Sequence, residues 1–380
     1  MKDLRSGAPR ATSVSRSTAL RRVAALLATA VVTTVAFGGS ATPQASTVAR
    51  GGHGEVRAFD LQAHRGGTGL TVESTIASFS KALDLGVTTL ELDVQITKDG
   101  YAVVTHDRDP VEKKCTDTAP AFAGDPQYPY VPGKTFIKDL TLAQVRTIDC
   151  GLKAQPEFPG QQVAPGSPMP LLSEVFGLVR ARRAKAVMLN VETKVEADAT
   201  EQTAPREQFV QVVASEVRRA HLLRQVTIQS FDWGSLMRMR QVEPRLPIVA
   251  LTNGQQFLQA GQPGASPWLG GIDIDDFGGS LVAAAASFHA DAISPVHGDP
   301  QNGRLSDPGY QPYTTPAMVR DAHAAGMKVI PWTVDDDATL QSLIDAGVDG
   351  IITNYPDVGR QVMARNGFAL PRAYPAKHSR

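Results

Sequence analysis

The stretch that decides the fold runs AVMLNV (186–191), REQFVQVVASEVRRA (206–220), VTIQS (226–230), WGSLMRMRQ (233–241), IVAL (248–251). Each β-branched apolar run has the length of a strand, and each amphipathic run behind it repeats its apolar residues at helical spacing. The rhythm continues downstream: Ala292–Pro295 then Thr315–Ala325, Lys328–Trp332 then Asp336–Ala346, and last Gly350–Ile352. Upstream, Phe59–Ala63 reads as the first strand, and after a short polar loop Ser74–Leu85 reads as its helix. Regular alternation of this kind implies an α/β protein with a parallel sheet. No linker-like stretch divides the chain, and no GxGxxG follows the first strand. About eight strands in this length therefore point to a single closed (β/α)8 TIM-type barrel over residues 59–362 rather than to an open sheet.

Between the first helix and residue 186 lies TTLELDVQITKDGYAVVTHD (88–107). Thr97-Lys98-Asp99-Gly100 carries turn chemistry between strand-forming Thr88–Ile96 and Tyr101–Thr105, which reads as a hairpin. A turn centred between Lys98 and Asp99 sets Glu91 opposite His106, and Asp93 shares the face of Glu91 because strands have period two. Leu90, Leu92 and Val94 alternate with the acids and Val103 and Val104 crowd the partner strand, so both faces look covered. Buried carboxylates need a counter-charge or a metal. In a barrel, chemistry sits at the carboxyl ends of the strands. His64 and Arg65 (AHRGG), His106 (VVTHD), Glu192 and Lys194 (NVETK) and Trp332 (KVIPW) all occupy such ends. The hairpin does not fit an all-parallel barrel. An irregular barrel is expected, or a second strand that extends past the rim as an arm.

Residues 1–46 start with six basic side chains and one acid, then run apolar from Val23 to Phe37 before small residues such as Gly39-Ser40-Ala41. This is the layout of a secretory signal, and it is too short and too diluted by threonine for a stable membrane span. Arg21-Arg22 leaves the choice of export route open. The segment 47–58 is expected to be flexible and 363–380 to form a tail. The whole chain carries 38 basic and 38 acidic residues; leaving out the leader takes the balance from zero to about −5. A mildly acidic protein is a poor match for nucleic acid, whose binding rests on neutralising phosphates. Export lets Cys115 and Cys150 form a disulfide, closing a Pro-, Gly- and Tyr-rich insertion at about 110–165.

Taken together, AHRGGTG, VESTIASF, LELDVQITKDGYAVVTHD and NVETK resemble the signature of the glycerophosphodiester phosphodiesterase family, part of a wider group of phosphatidylinositol-phospholipase-C-like phosphodiesterases. Later echoes stand in QSFDW, PWTVDD and DGIITNYPD. Two departures stand out: Val72-Glu73-Ser74-Thr75 replaces the family's Pro-Glu-Asn-Thr, and the insertion elaborates the active-site mouth.

The resemblance implies one divalent cation on Glu91, Asp93 and Glu192, and three carboxylates without a nearby thiol suit calcium or magnesium better than zinc. Arg65 and Lys194 would bind the phosphate, although Arg65 could instead pair with a metal-site acid and Lys194 with Glu196. His64 is assigned as base and His106 as acid, with the reverse order open, and so is the choice between water and a neighbouring glycerol hydroxyl as attacking group. Glu73 is expected to cap or brace the helix near Ser74. Phe231 and Trp332 would wall the leaving-group pocket. His53, His221, His289, His297 and His323 are expected to be structural or uninvolved.

The expected function is a secreted, metal-dependent hydrolysis of glycerophosphodiesters to an alcohol and sn-glycerol 3-phosphate by His acid/base catalysis. The alternative keeps the site but gives it a lipid, as in a lysophospholipase D, a sphingomyelinase D or a phosphatidylinositol phospholipase C, with transient lipid contact; a barrel repurposed as a binding module would be favoured only if one of the acids or histidines were missing, and none is. Phe122, Tyr128, Tyr130 and Phe136 would then supply an apolar groove, or else pack under the disulfide.

Overall fold

The computed structural model describes residues 58–376. The expected leader, the segment after it up to residue 57, and His53 lie outside the described residues. Eight strands and eight helices alternate: β1 (Asp60–Ala63), α1 (Ile76–Leu85), β2 (Thr89–Ile96), α2 (Leu172–Ala181), β3 (Met188–Thr193), α3 (Arg206–Ala220), β4 (Val226–Ser230), α4 (Trp233–Val242), β5 (Ile248–Thr252), α5 (Leu281–Ser287), β6 (Ala292–Pro295), α6 (Pro316–Ala324), β7 (Lys328–Val329), α7 (Asp337–Ala346), β8 (Gly350–Thr353) and α8 (Pro356–Arg365). The strands pair in parallel in the order β7-β6-β5-β4-β3-β2-β1-β8. The remaining seam is bridged by backbone bonds from Asp349 N to Val329 O (2.9 Å), Ile352 N to Pro331 O (3.0 Å) and Val334 N to Ile352 O (3.0 Å). This is the expected barrel.

Period-two alternation sorts its side chains. Leu61, Leu90, Leu92, Val191 and Ile228 are fully buried in the layer shared with the helices, together with Phe79, Phe176, Phe209 and Trp233. Between them, Gln62, Asn190 and Gln229 join a buried polar ladder. Asn190 Nδ2 donates to Gln62 Oε1 (2.9 Å) and Gln229 Oε1 (2.6 Å), and Gln229 Nε2 donates to Glu91 Oε1 (2.8 Å). Amides satisfy one another where an unpaired polar group would be costly, and the ladder ends on a carboxylate of the site.

The hairpin conflict resolves as an extension past the rim. Thr89–Val94 pairs with β3, while Val94–Ile96 pairs antiparallel with the short strand Ala102–Val104 outside the barrel path. Its register is one residue away from the expected one: Val94 faces Val104 and Ile96 faces Ala102. The cause is the loop, which closes with Thr97 N to Tyr101 O (2.9 Å) around three residues, with Gly100 at φ +85°. Three-residue hairpin loops with glycine in the left-handed region are a standard alternative to the two-residue turn. Glu91 and His106 therefore do not face each other across a ladder. His106 reaches the site from the loop beyond the strand, where Thr105 N donates to Asp93 O (3.1 Å).

The insertion carries its own small core of Val103, Tyr130, Ile137, Leu140, Val145, Ile148 and Met169. Thr116–Asp117 pairs with Ile148–Asp149, and the expected Cys115–Cys150 disulfide closes that pair. Past α8, which extends to Arg365, the chain packs back on the barrel: Phe368 meets Phe59 at 5.0 Å, and Tyr374 N donates to Leu83 O (2.7 Å).

Candidate active site

β1 ends in His64-Arg65-Gly66-Gly67, a tight turn in which Arg65 (φ 51°) and both glycines (φ 86°) are left-handed. Side chains other than glycine seldom adopt this region, so the turn must be held by its surroundings. Ser74 N (3.0 Å) and Ser78 Oγ (3.2 Å) both donate to Arg65 O. A Cβ on Gly66 would lie 2.5 Å from Ser78 Oγ and 2.9 Å from Phe79 N. Gly66→Ala is thus expected to cost about 1–3 kcal/mol, read as a lower denaturant midpoint, and to lower activity by displacing His64 and Arg65.

The three acids converge. Ligand oxygens of Glu91, Asp93 and Glu192 lie within 4.8 Å of one another, and the residues are 1%, 1% and 6% exposed. β2 and β3 bring them together because Asp93 stands directly beside Glu192 in the parallel register. Burial, then the neighbouring Asp93 and Glu192, push the Glu91 carboxyl well above its usual range. Burial also raises Glu192, to about 7, against the pull of Lys194. Burial opposes charge on Asp93 too, but His106, Arg65 and Lys194 overcome it and hold its carboxyl low. Asp93 Oδ2 accepts no hydrogen bond although buried. A cluster of hard oxygen donors, one of which accepts no hydrogen bond and has the Arg65 guanidinium 3.3 Å away, fits a hard divalent cation.

Basic groups rim the trio. Lys194 Nζ sits 2.8 Å from Glu192 Oε1 and 3.8 Å from Asp93 Oδ1, not against Glu196, which pairs with Arg108 (2.9 Å). Arg65 Nε lies 3.3 Å from Asp93 Oδ2, its Nη1 is 3.1 Å from Glu73 Oε2, and its backbone N–H donates to Glu91 Oε2 (2.9 Å). Glu73 neither caps nor braces the helix. α1 is capped by Thr75, whose side chain accepts from Ser78 N (3.0 Å) while Ser78 Oγ accepts from Thr75 N (3.2 Å). Glu73 turns instead into the site, where Arg65, Lys114 Nζ (2.9 Å) and Gln155 Nε2 (3.1 Å) meet it.

Both histidines are oriented by their Nδ1. Asn354 Nδ2 donates to Asp335 Oδ2 (2.6 Å), so its Oδ1 is left to accept from His64 Nδ1 (2.6 Å). This fixes the tautomer and leaves His64 Nε2 with a lone pair. Burial and Arg65 push His64 down to about 3, against the opposing pull of Asp93. His106 Nδ1 lies 3.0 Å from Asp107 Oδ1, and Asp107 Oδ2 takes Lys114 Nζ at 2.6 Å. Burial, Arg65 and Lys194 bring His106 to about 4.

Both imidazoles open on a cavity of about 980 Å³ together with Glu91, Glu192, Arg65 and Lys194. One wall is aromatic: Trp332 meets Phe231 edge-on at 5.4 Å, Phe231 meets Phe257 at 5.0 Å, and Phe257 stacks on Trp268 at 4.4 Å. Phe122, Tyr128, Tyr130 and Phe136 do not line it. Tyr130 is buried in the insertion core, and Phe122 and Tyr128 face outward. His297 is held by Tyr310 Oη (2.7 Å) and Gln301 O (3.0 Å), and His323 pairs with Asp349 (2.9 Å), in keeping with structural roles.

Sequence patterns and the family resemblance pointed to His64, Arg65, Glu91, Asp93, His106, Glu192 and Lys194, but not to Asn354, Asp107, Lys114 or Gln229. Asp107 and Asn354 do stand inside the quoted THD and TNYPD runs. Nothing local marks Lys114, which reaches the site through the insertion.

The profile of the Glycerophosphoryl diester phosphodiesterase family matches residues 64–358. A glycerophosphodiester phosphodiesterase of Caldanaerobacter subterraneus subsp. tengcongensis is 28% identical over 305 residues, covering 80% of this chain and 98% of the relative. The crystal structure of a putative glycerophosphoryl diester phosphodiesterase from Silicibacter pomeroyi superposes with a TM-score of 0.67 at 28% identity, covering 83% of this chain and 96% of that one. An Oleispira antarctica phosphodiesterase, solved in complex with the product sn-glycerol-3-phosphate, shares the fold at a TM-score of 0.55 and 17% identity, over 80% of this chain and 96% of that one. The chain belongs to the glycerophosphoryl diester phosphodiesterase family.

Proposed function

We propose that this phosphodiesterase is exported, holds one calcium or magnesium ion on Glu91, Asp93 and Glu192, and hydrolyses glycerophosphodiesters to sn-glycerol 3-phosphate and an alcohol. The observation that carries the proposal is the buried carboxylate trio beside two imidazoles, each held at Nδ1 by an oxygen so that Nε2 is left for chemistry. When bound, the cation supplies positive charge against the oxygens of the phosphate as negative charge builds there. Arg65 and Lys194 add two fixed cations to the same face of the cavity, held in place by Glu73, Asp93 and Glu192 so that little reorganisation accompanies the reaction.

Neutral His64 accepts the proton of the attacking oxygen at Nε2, the nitrogen that Asn354 leaves free. His106 delivers a proton from Nε2 to the departing alkoxide, and Asp107 at Nδ1 stabilises the imidazolium that precedes transfer. Phe231 and Trp332 offer the alcohol an apolar wall and keep water from it. The product named for the Oleispira antarctica enzyme supports glycerol 3-phosphate as the retained half. The composition of residues 1–46 and the paired cysteines support export.

The test is release of glycerol 3-phosphate from glycerophosphocholine, before and after chelation and with each metal restored. Turnover lost on chelation and regained with calcium or magnesium is expected. Turnover of lysophosphatidylcholine without turnover of the water-soluble diester would overturn the substrate, and activity indifferent to chelation would overturn the metal.

A further inference from the structure

The two chain segments flanking the disulfide both end in the active site. Lys114 directly precedes Cys115, and its ammonium spans two carboxylates, Asp107 Oδ2 at 2.6 Å and Glu73 Oε1 at 2.9 Å, with only 12% of the side chain exposed. Five residues after Cys150, Gln155 donates to Glu73 Oε2 (3.1 Å) and is itself fixed by Gln161 Oε1, which accepts from Gln155 N at 2.8 Å. Lys153 ties the two segments together by donating to Glu112 O (2.5 Å) and Cys115 O (3.2 Å). The turn bearing Lys114 is also held by Lys114 N and Cys115 N, which both donate to Val111 O at 2.9 and 2.8 Å, and by the exposed Lys113–Glu157 pair at 3.4 Å.

We infer that Lys114 is a positioning residue for His106, acting through Asp107, and that the Cys115–Cys150 bridge holds it there. This rests on the assignment of His106 as a proton-transfer group. Asp107 divides its two oxygens, one to His106 Nδ1 and the other to Lys114. A carboxylate bound at one oxygen only swings about its last bond, and this one is a quarter exposed, so solvent competes for it. With Lys114 in place the second oxygen is pinned, the first stays on the imidazole, and the ring keeps Nε2 aimed at the cavity. Glu73 keeps Arg65 and Gln155 without Lys114. Asp107 would retain His106 alone among the partners described for it, so loss of the lysine is felt mainly at His106. The Thr116–Asp117 and Ile148–Asp149 pair and Lys153 join the two segments, and the bridge one residue from Lys114 fixes the spacing at which the ammonium reaches Asp107.

Lys114→Met is expected to lower kcat on glycerophosphocholine by about 10- to 100-fold, as loss of alignment does, with KM changed less than about twofold. A residue that only stabilised the fold would lower the melting temperature instead. In an Asp107→Asn background the same substitution is expected to add less than about a twofold loss, because both changes remove one interaction. The paired variant Cys115→Ser/Cys150→Ser is expected to lose kcat likewise, with no further loss from Lys114→Met. Wild-type turnover in the same assay tests the parent function separately. Given that turnover, unchanged kcat in Lys114→Met, losses that multiply with Asp107→Asn, or full kcat without the disulfide would each overturn the inference.

Discussion

His64→Ala and His106→Ala are each expected to lower kcat on glycerophosphocholine by about 10²–10⁴-fold, the range by which positioned acid and base groups contribute. Neither ring belongs to the carboxylate trio proposed to hold the cation, so metal-dependent protection against heat is expected to survive in both variants. The two losses differ in kind. His64 has its Nδ1 committed to Asn354 and burial disfavours its charged form, so it acts by accepting. Burial, Arg65 and Lys194 lower His106 as well, but it carries a carboxylate at Nδ1 that works against them and stabilises the charged form as it donates. A diester whose leaving group is a nitrophenolate needs no protonation as it departs. On that substrate His106→Ala is expected to recover most of its rate, and His64→Ala none. Recovery in His64→Ala instead would reverse the two roles, and equal losses on both substrates would remove the acid from the mechanism.

How far the site could be read from residues alone follows from where each signal lives. The barrel was legible because strand-helix alternation is a local pattern repeated many times, and one misjudged strand, such as the expected Lys328–Trp332 that narrows to Lys328–Val329, does not change the topology. Glu91 and Asp93 were legible because period two is a property of any strand. Their company with Glu192 needed β2 and β3 to be neighbours in register, which the family resemblance implied and periodicity alone did not. The hairpin register depended on the conformation of Gly100, a single torsion that composition does not reveal. Glu73 was misplaced for a related reason. Thr75 and Ser78 make a capping box that Glu73 would otherwise serve, and the left-handed Ser74 turns the chain between them. Lys114 and Asn354 lie 50 and 290 residues from His64 and meet the site only through tertiary contacts. The supporting groups were the hidden part, since their identity is set by what faces them in space.

Glu192→Gln is expected to abolish turnover and, in chelated protein, to leave the melting temperature unchanged or higher. The amide fits the space: its oxygen accepts from Lys194 as the carboxylate oxygen does at 2.8 Å, and its N–H₂ takes a place in a trio whose oxygens lie within 4.8 Å of one another, beside Asp93 in the strand register. What disappears is one of three crowded negative charges. In the metal-free wild type the Glu192 carboxyl is raised from 4.5 to about 7, chiefly by burial. The folded state then keeps a proton that the unfolded chain releases, so this group's contribution is intact below about pH 4.5 and is lost as pH climbs toward about 7. Chelated wild type should lose stability across that window, and the glutamine variant should lose less. Metal reverses the order. A ligand at a hundredfold excess over its Kd stabilises the native state by about 2.7 kcal/mol, and it must displace the Glu192 proton, so its effect on wild type should grow with pH through the same window. The glutamine variant, with two charged donors instead of three, should show little of that gain. Equal metal-induced shifts in the two proteins would take Glu192 out of the metal site, whatever the assay of turnover gave.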